Sequence, residues 1–471
     1  MIEGKVLSGI EDLDKMIGGF PRGSLVTIAG NPGTGKTALS AKFIYNGIVR
    51  YGEPGVYASL IEDEGRFYQF MKGLGLDFKP LKEKGLFQYI AIPTLFEPGV
   101  SESISEILDT VESINAKRLV IDSFTAIRQM LKKPAEARIL LHSLLSRIAR
   151  QLECTTFLIK EIPGEKHEYS YEEFVSDVVL LLYKGFFMDK FFREIRIVKA
   201  RGSEVKEYNA CVSLYKGFNV YAPIKTLSIS DLSGRTYEPP ADLPGCYTTG
   251  ISDLDSEIGG YPAGSTILYE VEKEVTDQDR FIITIPHIVS YILKERPVII
   301  IPPTGVELID IDKLREIYGV PSKIFNTYMR IIVDVGKEEK LPLNVKKLEF
   351  FHPGEVIKEI EEICEDFSSR GAGPPLVVLG VDRLAYHFKE GLLDVVFTIS
   401  NFVKNMGGLT SFIVKPIYPW IIERISPIAN IHWKIAKKYD RTLLLGLKPS
   451  TPIYIVDLPK GSLEPRLIPV I

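Results

Sequence analysis

One pattern occurs twice in this chain. Gly9-Ile10-Glu11-Asp12-Leu13-Asp14, Gly18-Gly19 and Gly23-Ser24 return as Gly250-Ile251-Ser252-Asp253-Leu254-Asp255, Gly259-Gly260 and Gly264-Ser265, each displaced by 241 residues. A recurrence at this distance marks duplicated domains rather than a short solenoid repeat. It splits the 471 residues into two halves of ordinary domain size. The expected domains are 1–235 and 236–471. The linker lies around Ser228–Pro244, which holds Gly234, Pro239, Pro240 and Pro244 and little hydrophobic periodicity.

In the first copy, Leu25–Ala29 is apolar and β-branched, the pattern of a buried parallel strand. Gly30-Asn31-Pro32-Gly33-Thr34-Gly35-Lys36-Thr37 follows directly with the spacing G-x-x-x-x-G-K-T. Ala38–Val49 then carries Leu39, Phe43, Ile44 and Ile48 as a helical apolar stripe. Strand, loop and helix in that order are what a phosphate-binding loop requires. The glycines let backbone N–H groups face an anion, and the helix N-terminus adds a favourable field. Asn31, Pro32, Gly33, Thr34, Gly35, Lys36, Thr37 and Ala38 are therefore the candidate ATP-binding residues. Lys36 is expected on the β- and γ-phosphates and the Thr37 hydroxyl on Mg²⁺.

Two further strands bring carboxylates. Gly55–Ile61 is apolar and is followed by Glu62-Asp63-Glu64. Carboxylates in that place can orient an attacking water, and Glu62, first after the run, is the preferred base with Asp63 beside it. A solvated acidic turn is the alternative. Arg118–Ile121 ends in Asp122, the shape of a Walker B strand whose aspartate holds the Mg²⁺ shell through water. Thr155–Ile159 and Val178–Tyr183 read as the fourth and fifth strands. Phe192–Lys199 alternates and runs into the basic cluster Lys199-Ala200-Arg201-Gly202-Ser203, which either touches phosphate on a neighbouring subunit or is a charged turn. The order of signals predicts an α/β sheet that gains antiparallel strands late. Glu165–Tyr171, with His167, reads as a loop over a central channel or as an exposed connection.

The second copy keeps the strands and loses the loop. Lys273-Glu274-Val275-Thr276-Asp277-Gln278 falls where Pro32–Thr37 stood, so Asp277 replaces the lysine. Glu272, Glu274 and Asp277 would repel a triphosphate, and Val275 favours an extended backbone. Leu376–Asp382 echoes Leu119–Asp122, Thr410–Lys415 echoes Thr155–Lys160, and Leu443–Lys448 echoes the strand before Lys199. This half is expected to fold as a companion domain that packs, regulates or binds a partner. Asp334–Lys347 reads as a polar insertion. Phe350–Phe367 reads as a helix whose glutamates face water.

Bulk properties narrow the classes. A net charge of -4 carries no polycation signature for nucleic acid, although it does not exclude a local patch. Cys154, Cys211, Cys246 and Cys364 match no metal-binding spacing and read as buried free thiols. Glu3, Glu11, Asp12 and Asp14 interrupt any leader-like apolar run, and no stretch reaches membrane length, so a cytoplasmic location with no membrane partner is expected.

The lead-in Gly-Ile-x-x-Leu-Asp, Gly-Gly, Gly-Ser before the loop, Glu172-Glu173-Phe174-Val175-Ser176-Asp177, and Lys199-Ala200-Arg201-Gly202-Ser203 together resemble the KaiC-like branch of RecA-type ATPases. The likeness covers most of 4–220 and returns more weakly over 245–455, as in archaeal double-domain members of the branch. It implies an α/β fold of two tandem RecA-like P-loop NTPase domains, with mostly parallel central sheets flanked by helices. It also implies Mg-ATP bound at subunit interfaces, a homo-oligomer of the hexameric-ring kind, and Lys199 and Arg201 acting on a neighbour's γ-phosphate.

Two departures stand out. The family has adjacent glutamates after the second strand. Aligned without a gap, those positions here are Ile61 and Glu62; shifted by one, they are Glu62 and Asp63. The family's clock member autophosphorylates through its second domain, and Asp277 in place of the loop lysine gives no support for that chemistry. The leading expectation is a slow Mg-dependent ATPase serving as a regulatory or assembly switch with an unknown protein partner. A DNA-repair or recombination accessory ATPase, and a scaffold with structural ATP and no turnover, are the alternatives. Nucleic acid is the less favoured partner.

Overall fold

The structure is a computed structural model that describes residues 4–92, 98–130, 148, 152–162, 170–225, 227–334, 342, 344–348, 352–416 and 419–471. It divides into two compact units, Met1–Pro223 with Pro469–Ile471, and Ile224–Ile468. His167 and most of the polar insertion after Asp334 lie outside the described residues.

The first unit is built on a sheet of nine described strands: β1 (Leu25–Gly30), β2 (Gly55–Ser59), β3 (Phe87–Ala91), β4 (Arg118–Asp122), β5 (Thr155–Glu161), β6 (Val178–Phe187), β7 (Lys190–Ala200), β8 (Asn209–Ser213) and β9 (Asn219–Tyr221). Their order is β9-β8-β7-β6-β1-β5-β4-β2-β3. From β6 to β3 every neighbour is parallel, and β6-β7-β8-β9 is antiparallel. β1 and β4 are buried along their whole length, as strands covered on both faces must be. Helix α1 (Lys36–Tyr51) packs Leu39, Phe43, Ile44 and Ile48 into the core, where Phe43 stacks on Phe157 at 3.9 Å. Beneath it Arg118, fully buried, donates to Glu53 Oε2 at 2.7 and 2.9 Å and to Phe43 O at 2.7 Å.

The second unit repeats the plan with ten described strands: β10 (Thr266–Val271), β11 (Val298–Ile301), β12 (Met329–Val333), β13 (Val345–Lys347), β14 (Leu376–Gly380), β15 (Leu409–Val414), β16 (Ile431–Lys438), β17 (Arg441–Lys448), β18 (Ser450–Asp457) and β19 (Arg466–Pro469). Their order is β13-β12-β11-β14-β15-β10-β16-β17-β18-β19. β10 takes the place of β1 between a parallel strand on each side. The chain is thus two large mixed sheets, each flanked by helices, in the tandem RecA-like arrangement.

Pairing register refines two sequence readings. Thr266 of β10 pairs with Thr410, as Leu25 of β1 pairs with Thr156, so Lys415 takes the place of Glu161 rather than Lys160. Leu376 of β14 pairs with Val298 as Arg118 pairs with Gly55, which puts Gly380, not Asp382, where Asp122 stands. Asp382 instead lies in the following helix, Val381–Phe388. The helix expected over 350–367 spans Pro353–Ser369, and one of its glutamates is not at the surface: Glu359 is buried and ion-paired with Lys346 at 2.5 Å.

Of the four thiols, Cys154, Cys211 and Cys364 are buried and Cys246 half-buried, and none of them forms a disulfide. Among the described residues no helix is long and apolar enough to cross a membrane.

Candidate functional site

The loop 30–37 links the C-terminal end of β1 to the N-terminus of α1. Two glycines are required by the backbone itself. Gly35, at the helix N-cap, has φ 100°, and a Cβ on Gly30 would stand 2.5 Å from the Leu182 carbonyl oxygen of β6. Lys36, the first residue of α1, is buried and folds back on its own loop, donating to Gly30 O and Asn31 O at 2.9 Å each. Burial pulls its ammonium below the usual lysine range, against the pull of Glu161 and Asp122.

Thr37 and Asp122, the two residues expected at Mg²⁺, lie together. Thr37 Oγ1 donates to Asp122 Oδ2 at 3.0 Å, and the buried Tyr57 hydroxyl donates to the same oxygen at 2.7 Å. Burial raises the Asp122 carboxyl above the ordinary range, while the bonds from Tyr57 and Thr37 oppose that rise. A hydroxyl and a carboxylate in this arrangement are hard oxygen donors, the set suited to Mg²⁺.

Glu62 follows β2 in a turn held by Ser59, whose Oγ accepts from the N–H groups of Ile61 and Glu62 at 3.3 and 3.1 Å. Its carboxyl is raised by burial, by Asp122 and by Asp63. Asp63 is otherwise engaged: it caps helix α2 (Glu64–Gly73), accepting from Arg66 N at 3.0 Å. Ile61 is exposed.

The structure does not bring Lys199 and Arg201 to their own loop. Ala200 of β7 pairs with Val178, and Arg201 N donates to Asp177 O, at the end of β6 beside the start of β1. Lys184 of the same strand lies at the loop end, about 20 Å away at the usual rise per residue. Lys199 Nζ donates to Phe174 O at 2.8 Å and to Glu173 O at 3.2 Å, and Arg201 Nη2 donates to Phe174 O at 3.3 Å. Both thus rest on helix α3 (Tyr171–Val175), whose Glu173 is ion-paired with Lys160 at 2.8 Å. Burial, then Arg201, lowers the Lys199 ammonium.

Tyr57, Lys184 and Arg193 were not singled out from the sequence. Arg193 Nη2 donates to Gly33 O at 3.3 Å, and Lys184 Nζ stands 3.1 Å from where a Cβ on Gly33 would be. The signal available was a lysine that closes the apolar run Val178–Tyr183.

In the second unit, helix α4 (Asp277–Leu293) begins at Asp277, 241 residues after Lys36 begins α1. The carboxylates of the altered loop are all paired. Asp277 lies 2.9 Å from both Lys415 and Arg280, Glu272 lies 2.8 Å from Lys434, and Glu274 lies 3.5 Å from Lys273. Their charge is therefore compensated internally rather than left bare against an anion.

The chain is similar to several known proteins. The family model described as ATPase: KaiC matches residues 6–222. The chain is 34% identical over 178 residues to the UPF0273 protein PH0284 of Pyrococcus horikoshii, an alignment covering 34% of this chain and 70% of that one. It is 30% identical over 265 residues to the circadian clock oscillator protein KaiC of Parathermosynechococcus lividus, covering 54% of this chain and 47% of that one. It thus spans about half the length of that clock protein. A crystal structure of the KaiC-like protein PH0186 from Pyrococcus horikoshii OT3 is 34% identical and matches 46% of this chain and 98% of that chain, with a TM-score of 0.42. Through residues 6–222, the chain belongs to the KaiC family of RecA-type P-loop ATPases.

Proposed function

We propose that the chain is a Mg-dependent ATP-binding protein and slow ATPase that acts in the cytoplasm as a conformational or assembly switch. The first unit is the engine, and the second is a companion domain without nucleotide. The observation that carries this reading is the convergence of Lys36, Thr37 and Asp122 on one loop. Backbone N–H groups of 33–37 and the Lys36 ammonium bind the β- and γ-phosphates. Thr37 and Asp122 hold Mg²⁺, which when bound neutralises charge on the phosphate oxygens. Glu62 orients the attacking water and accepts its proton, with a carboxyl whose raised pKa makes it a better base than a fully solvated glutamate.

Lys199 and Arg201 serve the loop of a neighbouring copy. Register holds them at the far end of β6 from their own loop, so a phosphate contact from this pair needs a second chain. That is the observation favouring a homo-oligomer, of the ring kind that the family resemblance implies. A second reading, an ATP-stabilised scaffold with no turnover, is favoured by exposed Ile61 at a position where the family has a glutamate.

The test is phosphate release from Mg-ATP by wild type, Lys36→Ala and Glu62→Gln, with bound nucleotide assayed alongside. Turnover by wild type that is lost in Lys36→Ala supports the engine, and the Glu62→Gln rate measures the base. Bound ATP that stays intact selects the scaffold. Turnover that rises with single-stranded DNA and falls with salt selects the nucleic-acid reading instead.

A further inference from the structure

Lys184 and Arg193 are direct cross-strand partners in the β6–β7 hairpin. Two cations placed opposite each other in an antiparallel pair repel, so the arrangement calls for an anion between or above them. Among the described residues neither forms an ion pair with a carboxylate. Both instead reach the phosphate loop at Gly33. Arg193 has only one nitrogen engaged there; its Nε and Nη1 are buried without a hydrogen-bond partner. Lys184 is exposed, and its charge bears on Lys36, so three cations surround the loop.

The second unit shows what a lysine at this place can bind. Gly30 pairs with Leu182, and Val271 pairs with Ile435, so Lys437 holds in β16 the place that Lys184 holds in β6. Its cross-strand partner is Thr442, at the place of Arg193. Lys437 Nζ and Thr442 Oγ1 both donate to the buried Asp279 carboxylate at 3.1 Å. Asp279 also accepts from Thr276 N at 3.0 Å and Thr276 Oγ1 at 2.8 Å. Thr276 stands where Gly35 stands in the first unit. One carboxylate therefore receives a loop N–H and the hairpin lysine together, as a bound phosphate would. In the first unit the residue at the place of Asp279 is Ala38, which has no charge to offer.

We propose that Lys184 binds the polyphosphate of the nucleotide from within the same chain, with Arg193 as the positioning residue that ties the hairpin to Gly33, and that Asp279 is the second unit's built-in substitute for that anion. This rests on the ATP-binding reading of the first unit.

The experiment compares binding of Mg-ATP, Mg-ADP and AMP by the full chain in wild type, Lys184→Met, Lys36→Ala and Lys437→Met, with the melting temperature of each nucleotide-free protein. Loss of one charge-assisted contact should weaken Mg-ATP binding by about tenfold in Lys184→Met. The salt dependence should become shallower, and the nucleotide-free melting temperature should hold or rise because a repulsion is gone. A purely structural lysine would lower that temperature and leave affinity alone. Lys437→Met should do the latter, since it removes the partner of Asp279. Mg-ATP affinity equal to wild type in Lys184→Met, alongside loss of binding in Lys36→Ala, overturns this inference and leaves the ATP site standing. Failure of wild type itself to bind Mg-ATP overturns both.

Discussion

Lys415 donates to Asp277 at 2.9 Å, and these two residues occupy the places that Glu161 and Lys36 hold in the first unit. The charges at the loop end of the central strands have been exchanged between the halves. In the first unit the cation sits on the helix, where a phosphate can use it. In the second, the helix carries the carboxylate, and the neighbouring strand end supplies the cation.

Loss of either charge should be felt in the second unit, and unequally. Asp277 also faces the fully buried guanidinium of Arg280, so Asp277→Ala leaves a buried charge without its partner. That change should destabilise the second unit by about 3 kcal/mol in chemical denaturation. Lys415→Ala should cost less, about 1 kcal/mol, because Arg280 still holds Asp277. A double-mutant cycle over the pair that gives no coupling would remove the ion pair from the account.

Asp122 should trade stability for ligand. Its raised carboxyl means that the folded site disfavours the charged form, so this group's cost is absent at low pH and sets in as pH rises through its folded pKa. Asp122→Asn should therefore raise the nucleotide-free stability at pH 7 by about 1 kcal/mol. The same variant should lose the stabilisation that Mg-ATP gives wild type. Thermal melts with and without Mg-ATP read both effects.

Residues that act across a subunit boundary can be supplied by different chains. Lys36→Ala keeps Arg201, and Arg201→Ala keeps the loop. Each alone should be inactive, the Arg201 variant by roughly 10³-fold. A mixture should recover measurable phosphate release that increases with protein concentration. No recovery at any concentration would assign Arg201 to its own chain's structure.

Acid should reach the second unit through Asp242. Burial pushes this carboxyl up, but hydrogen bonds from Arg296, Lys294 and Thr248 N outweigh it and hold it at about 2, against an ordinary 3.8. A depressed acid contributes stability above its unfolded pKa and loses it as pH falls through the folded value. Wild type should thus lose stability between 3.8 and about 2. Asp242→Asn should flatten that limb, by about 1 kcal/mol once solvent screening is allowed for.

Local chemistry was legible in the sequence. An apolar run, a glycine spacing and an amphipathic stripe place Lys36 between β1 and α1, because each of those signals is carried by adjacent residues. Thr37 and Asp122 could be paired on paper because each ends a recognisable motif. The rest depends on pairing between distant strands. Whether Lys415 echoes Lys160 or Glu161 is a one-residue matter of register, and hydrophobic pattern does not resolve it when both strands are buried on both faces. Lys184 and Arg193 become neighbours only through the long β6–β7 hairpin, whose strands run on past the apolar run to Phe187. Asp63 looks like a second base in the sequence, yet a helix N-terminus takes it as its cap.

A carboxylate attached to the chain is never diluted. Asp279 meets Lys437 and Thr276 at a local concentration set by the backbone, so that cradle stays saturated whatever the surrounding solution contains. The loop at Lys36 fills only by mass action. On the proposed reading, only the first unit responds to the supply of nucleotide, while the Asp279 cradle keeps one setting.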